Sequence, residues 1–435
     1  MPLKIVRLWE CSREERERLL KRSELDVASV VPQVRQIVED VRERGDEAVI
    51  RYTELFDGVR LDPSRLRVSD EEIREAYEQV DADVVEAMKS AAKAIEKFHL
   101  KQLPREWLTR LRTGIRAGQL VRPLASVGIY APGGLARYPS SVLMAAVPAR
   151  VAGVGRVIMC TPPRRDGGVD PTMLVAADLS GVEAVFRIGG AQAIAAMAYG
   201  TQTVPKVDKV VGPGNVYVVA AKQAVASEVE IDFAAGPSEV LILADSSADA
   251  DFVAADLLAQ AEHDPAAAAV LVTTSESLAS EVRELLERAL KEAPRREIAE
   301  KSLERYGLAI LVRNLDEAIE FVNAYAPEHL QLIIERPGRA LNRIHNAGAI
   351  FVGPYSPVAA GDFAIGPSHI LPTGGAARKR SGLSVMDFIK MPSVQVVTKK
   401  GLELIAGIVE RFAEIEGLPN HARSIQVRLR RRGRW

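Results

Sequence analysis

Apolar residues in the first hundred positions recur at helical spacing. Two stripes follow the i, i+3, i+4, i+7 pattern of a helix with one buried face. They are Val34, Ile37, Val38 and Val41, then Val85, Met88, Ala92 and Ile95. The pattern predicts a helical region over residues 30–104, closed by Pro104, after an N-terminal segment of residues 1–29. Both stripes are interpreted as core or interface.

After residue 125, short β-rich runs alternate with alanine-rich helical stretches. The strands are predicted at residues 127–130, 157–160, 184–188 and 209–211. The helices are predicted at residues 140–151, 171–179, 191–199 and 216–226. Pro148 should kink or end the first of these helices. Such alternation is typical of βαβ units and predicts a parallel sheet.

A second series of buried runs predicts another parallel sheet. Its strands are expected at residues 240–244, 270–273, 309–312, 332–334 and 350–352. The fold class is therefore α/β, with two Rossmann-like parallel-sheet domains of incomplete, atypical form at residues 105–237 and 238–381. Duplication would produce this order, although no residue-level repeat is visible. Residues 382–435 are predicted to form a small helical tail that docks on the body or on a partner subunit.

Composition narrows the class of protein. Lys and Arg number 57 against 58 Asp and Glu, so the net charge of −1 gives no overall attraction for nucleic acid or an anionic membrane. No uncharged apolar run has the length of a membrane span. Cys11 and Cys160 are the only cysteines, which favours a reducing compartment, by default the cytoplasm. Cys160 is interpreted as a small core residue.

Glycine-rich joints follow three of the predicted strands. They contain Tyr130 before residues 131–134, the pair Gly189 and Gly190, and the run from Gly212 to Asn215. Glycine lets backbone N–H groups approach a phosphate closely, and a helix N-terminus favours the anion. The fingerprint G-x-G-x-x-G is missing, so a dinucleotide would bind differently from the standard Rossmann manner. A purely structural role for these glycines stays open.

Histidines and polar partners form three groups in the second half. Gln260 and His263 lie at i and i+3 on a predicted helix and share one face. Glu328 and His329 lie at the entrance of the strand at residues 332–334. Asp362 and His369 lie in a Gly- and Pro-rich loop over residues 360–369. Such ligands suit Zn²⁺, with Mn²⁺ or Co²⁺ as alternatives. Because the spacing is scattered, ordinary hydrogen-bonded histidines remain possible, and His99 and His345 are interpreted so.

Taken together and in order, these segments closely resemble the histidinol dehydrogenase family over essentially the whole chain. The matching stretches are VGIYAPGG (127–134), GGAQAI (189–194), VGPGN (211–215), AGPSEV (235–240), QAEH (260–263), YAPEHL (325–330), GDFAIGPSH (361–369) and EGL (416–418) with His421. Two departures are Ser368, where the family pattern has Asn, and residues 135–138.

The resemblance implies a role for each matching residue. It implies a homodimer with one Zn²⁺ per subunit, His421 coming from the partner subunit. The implied zinc ligands are Gln260, His263, Asp362 and His421. The implied NAD contacts are Tyr130, Gln192 and Asn215. The implied substrate contacts are Ser238, Gln260, His263, Glu328, His329, Asp362, His369, Glu416 and His421.

The implied reaction is the NAD-dependent, four-electron oxidation of L-histidinol through L-histidinaldehyde to L-histidine. His329 would act as general base, for which a pKa near neutrality is suitable. Glu328 would activate water, and zinc would position the substrate. Three alternatives stay open: a dehydrogenase of another polar alcohol on the same fold, a metal-dependent hydrolase, and a non-catalytic binding protein.

Overall fold

The computed structural model describes residues 3–22, 27–133, 138–233 and 236–429. Residues 134–137, which include most of the second departure from the family pattern, and residues 430–435 of the tail lie outside that set. The described chain forms two units. Unit 1 comprises the residues up to Gln102 together with Leu124–Phe388, and unit 2 comprises Leu103–Pro123 and the residues from Ile389 onward.

The N-terminal part of unit 1 is mostly helical. It comprises β1 (Lys4–Arg7), α1 (Arg13–Leu19), α2 (Val27–Arg44), α3 (Asp46–Asp57), α4 (Asp70–Gln79) and α5 (Ala82–Leu100). Both predicted apolar stripes are buried, one in α2 and one in α5. The α2 stripe packs against the first parallel sheet's helices in one core cluster. Burial of a Val or Ile contributes about 1.5–3 kcal/mol, so this stripe is a major anchor of the helix.

Unit 2 begins after α5 with strands that sequence reasoning missed. They are β2 (Trp107–Arg112), β3 (Ile115–Gln119) and β4 (Arg122–Pro123). All six residues of β2 are exposed, so no buried face imposes a clear alternation of apolar and polar positions.

The first parallel sheet lies in unit 1. Its elements are β5 (Ser126–Tyr130), α6 (Pro139–Ala152), β6 (Arg156–Thr161), α7 (Pro171–Ser180), β7 (Ala184–Arg187), α8 (Gly190–Tyr199), β8 (Lys209–Val211), α9 (Val216–Val225) and β9 (Glu230–Ile231). The strand order is β7-β6-β5-β8-β9, and every pairing is parallel. The helix α6 continues to Ala152, so the possibility that it ends at Pro148 is wrong. Residues 141–149 are all buried, and this packing outweighs the hydrogen bond that the proline removes.

The second parallel sheet also lies in unit 1. Its elements are β10 (Glu239–Ala244), α10 (Ala250–Ala261), β11 (Ala268–Thr273), α11 (Glu276–Glu292), α12 (Arg296–Tyr306), β12 (Gly307–Leu311), α13 (Leu315–Tyr325), β13 (His329–Ile333), α14 (Gly338–Leu341), β14 (Ala349–Val352) and α15 (Val358–Ala360). The order β1-β12-β11-β10-β13-β14 shows that the N-terminal strand β1 joins this sheet at its edge. Core clusters cover both faces, as parallel sheets require. The predicted α/β class with two parallel sheets is confirmed.

The C-terminal part of unit 2 contains β15 (Ile389–Lys390), β16 (Ser393–Val397), α16 (Lys399–Ile415) and α17 (Pro419–Leu429). The strands form antiparallel ladders with those of residues 107–123, so the prediction of continuous helix from residue 382 is wrong at its start. The helices α16 and α17 make the rest of the described tail helical. Among the described residues, no helix has the length and apolar character needed to cross a membrane.

Candidate active site

The first sheet changes direction between β5 and β8. From β5 the chain proceeds through β6 to β7, then returns to place β8 on the other side of β5. The carboxyl ends of strands at such a switch point form a crevice where α/β proteins commonly bind ligands. Tyr130 ends β5, and Gly212 follows β8. A Cβ atom on Gly212 would lie 2.1 Å from the Tyr130 carbonyl oxygen, and its φ is 116°, so only glycine fits this joint.

Tyr130 and Gln192 meet at the Gly189–Gly190 joint. The Gly190 N–H donates to the Tyr130 hydroxyl at 3.1 Å, and burial raises the pKa of Tyr130 to about 12. The Gln192 side chain is fully buried, and neither atom of its amide has a hydrogen-bond partner among the described residues. An amide in this state costs free energy unless something completes its hydrogen bonds.

Asn215 begins α9 at the neighbouring joint. Its side-chain oxygen accepts from the N–H groups of Tyr217 and Val218, at 3.1 and 3.2 Å, which makes it the N-cap of the helix. Residues Lys222 and Asp232 fix the preceding loop. The Lys222 ammonium donates to the Gly212 carbonyl and lies 2.6 Å from Asp232 Oδ1, while Asp232 Oδ2 accepts from the Gly212 N–H at 2.7 Å.

The acid–base candidates lie at the amino-terminal edge of the second sheet. His329 is the first residue of β13 and pairs in register with Val240 of β10. Ser238 directly precedes β10, and its carbonyl accepts from the Ala268 N–H at 3.1 Å, where β11 begins. Since α10 returns the chain to the start of β11, Gln260 and His263 belong to this same edge.

Glu239 and Glu328 are joined by reciprocal hydrogen bonds. The Glu239 N–H donates to Glu328 Oε2 at 2.8 Å, and the Glu328 N–H donates to Glu239 Oε1 at 3.2 Å. Both side chains are buried. Burial raises the pKa of Glu239 to about 7, with the Glu328 charge adding to the rise and Arg22 opposing it.

The backbone carbonyl of Glu239 holds His329 in one tautomer. Its Nδ1 lies 3.1 Å from the Glu239 carbonyl oxygen, which only accepts, so Nδ1 carries the proton and donates. Nε2 is buried and has no hydrogen-bond partner among the described residues. In the neutral ring Nε2 is therefore the basic atom.

The charge around His329 comes from two carboxylates. Nδ1 lies 3.4 Å from Glu328 Oε2, and Nε2 lies 3.8 Å from Asp362 Oδ1. Burial alone would lower the pKa of His329, but Glu328 first and Asp362 next outweigh it and raise the pKa to about 9. The two nearby carboxylates favour the imidazolium.

Asp362 lies in a widened helical turn, Gly361–Ile365, so the predicted loop of residues 360–369 is partly helical. Single turns of this π type occur often at functional sites. His369 follows it, and its Nδ1–H donates to the Asp362 carbonyl at 3.0 Å. Its Nε2 lies 3.1 Å from the Ser141 hydroxyl in the first turn of α6. Burial lowers the pKa of His369, which favours the neutral ring.

The predicted zinc ligands differ in burial and do not all lie in the same unit. Gln260 is buried in the last turn of α10, and its side-chain nitrogen has no partner in the described part of the chain. His263 is exposed and lies just beyond α10, which ends at Ala261, so the prediction that both share one helix is wrong. Pro265 disfavours helix at the preceding residue and helps end it there. His421 and Glu416 lie in unit 2 and are exposed.

Within the described residues, no group of three or more His, Cys, Asp and Glu side chains is arranged to hold a metal ion. A glutamine ligand and a ligand from a second subunit would both fall outside such a group. Cys160 is buried in the core, as predicted, and His99 is buried with Nδ1 2.7 Å from the side-chain oxygen of Gln102.

Sequence reasoning missed several residues at these two edges. Asp57, at the end of α3, lies beside Gly189, and its buried Oδ2 has no partner among the described residues. Arg22 pairs with Glu239, and Ser141 contacts His369. No short-range pattern points to them, because each lies more than 100 positions from the residue it contacts.

Two parallel sheets, glycine joints at a switch point and a buried carboxylate–histidine pair together define an α/β enzyme of Rossmann-like architecture. The model of the family described as histidinol dehydrogenase matches residues 20–429. The histidinol dehydrogenase of Methanothermobacter thermautotrophicus is 51% identical over 426 residues, which is 98% of this chain and 100% of that protein. That of Methanopyrus kandleri is 51% identical over 420 residues, covering 95% of this chain and 97% of the relative.

A solved structure of the same family is also similar to this chain. The crystal structure of histidinol dehydrogenase from Elizabethkingia anophelis matches with a TM-score of 0.95 at 39% identity and covers 98% of each chain. The chain therefore belongs to the histidinol dehydrogenase family, and the resemblance of its motifs to that family is confirmed. It is an enzyme of the oxidoreductase class.

Proposed function

We propose that this enzyme oxidises L-histidinol through L-histidinaldehyde to L-histidine, with NAD as the hydride acceptor in both steps. The single observation that carries the proposal is the buried Glu328–His329 pair. Its His329 Nε2 has no partner among the described residues and lies beside Asp362. Family membership supplies the substrate, and the pair supplies the proton chemistry that the reaction needs.

In the first step, the deprotonated form of His329 takes the proton of the substrate alcohol at Nε2 as hydride leaves the carbon. Because the pKa of His329 is raised to about 9, the share of this form grows as pH rises toward that value. Its Nδ1–H remains bonded to the Glu239 carbonyl, so the ring keeps its orientation through proton transfer. The aldehyde product then needs water. Glu328 is proposed to take a proton from that water while His329 returns its proton to the aldehyde oxygen, which gives the hydrate. His329 is then free to take the hydrate's proton as the second hydride leaves.

The dinucleotide is proposed to bind at the switch point of the first sheet. Tyr130, Gln192 and Asn215 are the proposed contacts, and the partnerless Gln192 amide supports the choice. When bound, NAD accepts the hydride, which no side chain of this protein can do.

One zinc ion per subunit is proposed, held by Gln260, His263 and Asp362 with His421 of the partner subunit. Nitrogen and oxygen donors of this kind fit Zn²⁺. The Gln260 side-chain nitrogen has no partner among the described residues, and rotation of the amide by half a turn would present its oxygen, the atom that can bind zinc, at the same place. The ion, when bound, fixes the substrate's amine and imidazole. Ser238, His369 and Glu416 are proposed as further substrate contacts.

A homodimer is proposed, as the implied sharing of His421 requires. Four residues on one side of α16 are apolar and exposed: Leu404, Ile408, Phe412 and Ile415. Their spacing of four, four and three positions places them on one helical stripe. An apolar stripe of this length on a surface favours a partner. A cytoplasmic location is proposed from the two free cysteines.

The test measures NADH formed per histidine produced from L-histidinol by the purified, zinc-loaded protein. Two NADH for each histidine are expected. Another polar alcohol as the only productive substrate would support a different dehydrogenase of the same fold. Product release without NAD reduction would support a hydrolase, and binding without turnover would contradict catalysis altogether.

A further inference from the structure

The N-terminal segment contains an arginine, Arg22, that contacts the residue supporting the acid–base pair. The Arg22 guanidinium forms an ion pair with Glu239 and donates to the Tyr325 carbonyl. It also stacks on the Tyr325 ring, 3.8 Å from the ring centroid. The Arg22 side chain is 10% exposed and that of Glu239 is 1% exposed, so this is a buried pair rather than a surface contact. An arginine suits such a place because its planar group can stack and donate at once.

Glu239 connects Arg22 to both members of the pair. Its carboxylate accepts from the Glu328 N–H, its own N–H donates to the Glu328 carboxylate, and its carbonyl accepts from His329 Nδ1–H. One residue therefore sets the position of Glu328 and the tautomer of His329. In the chemistry proposed for the site, only the Glu239 carbonyl has a role, as the acceptor of the His329 Nδ1–H. The Glu239 carboxylate and Arg22 have none.

Arg22 also braces the turn that leads into the pair. Ala326 ends α13 with a φ of 51°, the only positive value at a residue other than glycine in the described chain. An alanine keeps this conformation only where its surroundings enforce it. The bond from Arg22 to the Tyr325 carbonyl holds the peptide just before Ala326, two residues ahead of Glu328.

We infer that Arg22 and Glu239 are positioning residues that hold Glu328 and His329 in their reactive arrangement. The inference rests on the acid–base roles proposed for that pair. Arg22 and Glu239 do not react themselves. They orient the reactive groups of Glu328 and His329, as the outer hydrogen-bond partners of a metal site orient its ligands.

The main test replaces Arg22 with methionine, which keeps an unbranched apolar side chain and removes the guanidinium. Arg22→Met should lower kcat about 10–100-fold. KM for histidinol and the bound zinc per subunit should stay unchanged. Oxidation of added histidinaldehyde should fall as well, because both Glu328 and His329 lose their support. Arg22→Lys keeps the charge and should recover part of kcat.

A matched control comes from the same segment. Arg16→Met removes a side chain that lies 4.0 Å from Glu317 and is 43% exposed, and it should leave kcat and KM unchanged. A loss in Arg16→Met equal to that in Arg22→Met would overturn the inference. So would wild-type kcat in Arg22→Met, or a change confined to KM or zinc content.

Arg22→Met leaves the Glu239 carboxylate buried without a counter-ion, which could prevent folding. The double variant Arg22→Met/Glu239→Gln removes both charges and should fold while keeping the loss of kcat. Wild-type kcat in the double variant would refute the positioning role. Glu328→Gln and His329→Asn are measured beside it. If those two keep full activity, the proposed acid–base roles fail; if only the Arg22 variants keep it, the positioning inference alone fails.

Discussion

Replacement of Lys222 by methionine tests whether a buried ion pair shapes the glycine joint after β8. Lys222 and Asp232 are 2% and 3% exposed, and their charged atoms lie 2.6 Å apart. Between them they hold both the N–H and the carbonyl of Gly212. Methionine is unbranched and one atom shorter than lysine, and it leaves Asp232 charged and the Gly212 carbonyl without its donor.

The magnitude follows from the separation and the burial. Two unit charges 2.6 Å apart attract by about 6 kcal/mol at an effective dielectric constant of about 20. Much of that attraction offsets the cost of removing both charges from water. Removal of one partner alone strands the other, and costs about 3–5 kcal/mol. Lys222→Met should therefore lower the free energy of unfolding by that amount. The double variant Lys222→Met/Asp232→Asn should cost only about 1–2 kcal/mol, because no charge is left buried.

The assay is urea unfolding monitored by circular dichroism. It compares the wild type, the single variants Lys222→Met and Asp232→Asn, and the double variant. NAD binding is titrated by fluorescence on the same four proteins. The single variants should bind NAD more weakly, since Gly212 lies at the proposed dinucleotide site. Single losses below about 1 kcal/mol, or a double variant whose loss equals the sum of the two single losses, would refute the reasoning. If a destabilised single variant binds NAD with unchanged affinity, the ion pair stabilises the fold but does not shape the NAD site.

Three further changes test other parts of the structure. His263→Asn should abolish bound zinc and activity while the circular dichroism spectrum stays native, because the residue is exposed; stoichiometric zinc in the purified variant would contradict its role as a ligand. Glu328→Gln should slow oxidation of histidinaldehyde more than oxidation of histidinol, which stopped-flow detection of NADH can resolve, and equal losses would exclude the proposed activation of water. Asp57→Asn should raise Tm at pH 8 and leave it nearly unchanged at pH 4. Burial raises the pKa of Asp57 to about 6, so the contribution of this protonated carboxyl to the stability of the wild type is lost as pH rises through that value. Equal Tm values at pH 8 would show that the buried carboxylate carries no such cost.

The two apolar stripes could be predicted from sequence, and so could the strands of both parallel sheets except β1 and β9. Their signals are local, since an amphipathic helix repeats within one turn and a buried parallel strand is a short apolar run. The strand β2 could not be predicted, because it is exposed along its whole length. The end of α10 before His263 was missed because the helical spacing of Gln260 and His263 carries no information about where the helix stops. Ordered motifs located the candidate site residues only through the family resemblance.

By itself, the sequence determined which residues could take up or release protons. Glu328 and His329 are adjacent in the chain, so any fold keeps these two residues next to each other. It could not determine that His329 Nε2 faces Asp362, that Glu239 sets the tautomer, or that Arg22 lies behind them. Those relations join residues tens to hundreds of positions apart. The one between Glu239 and His329 arises because β10 and β13 are neighbours in the sheet. The raised pKa of His329 has the same origin. A pKa depends on the burial and the charges within a few ångströms, and only the tertiary structure decides which charges those are.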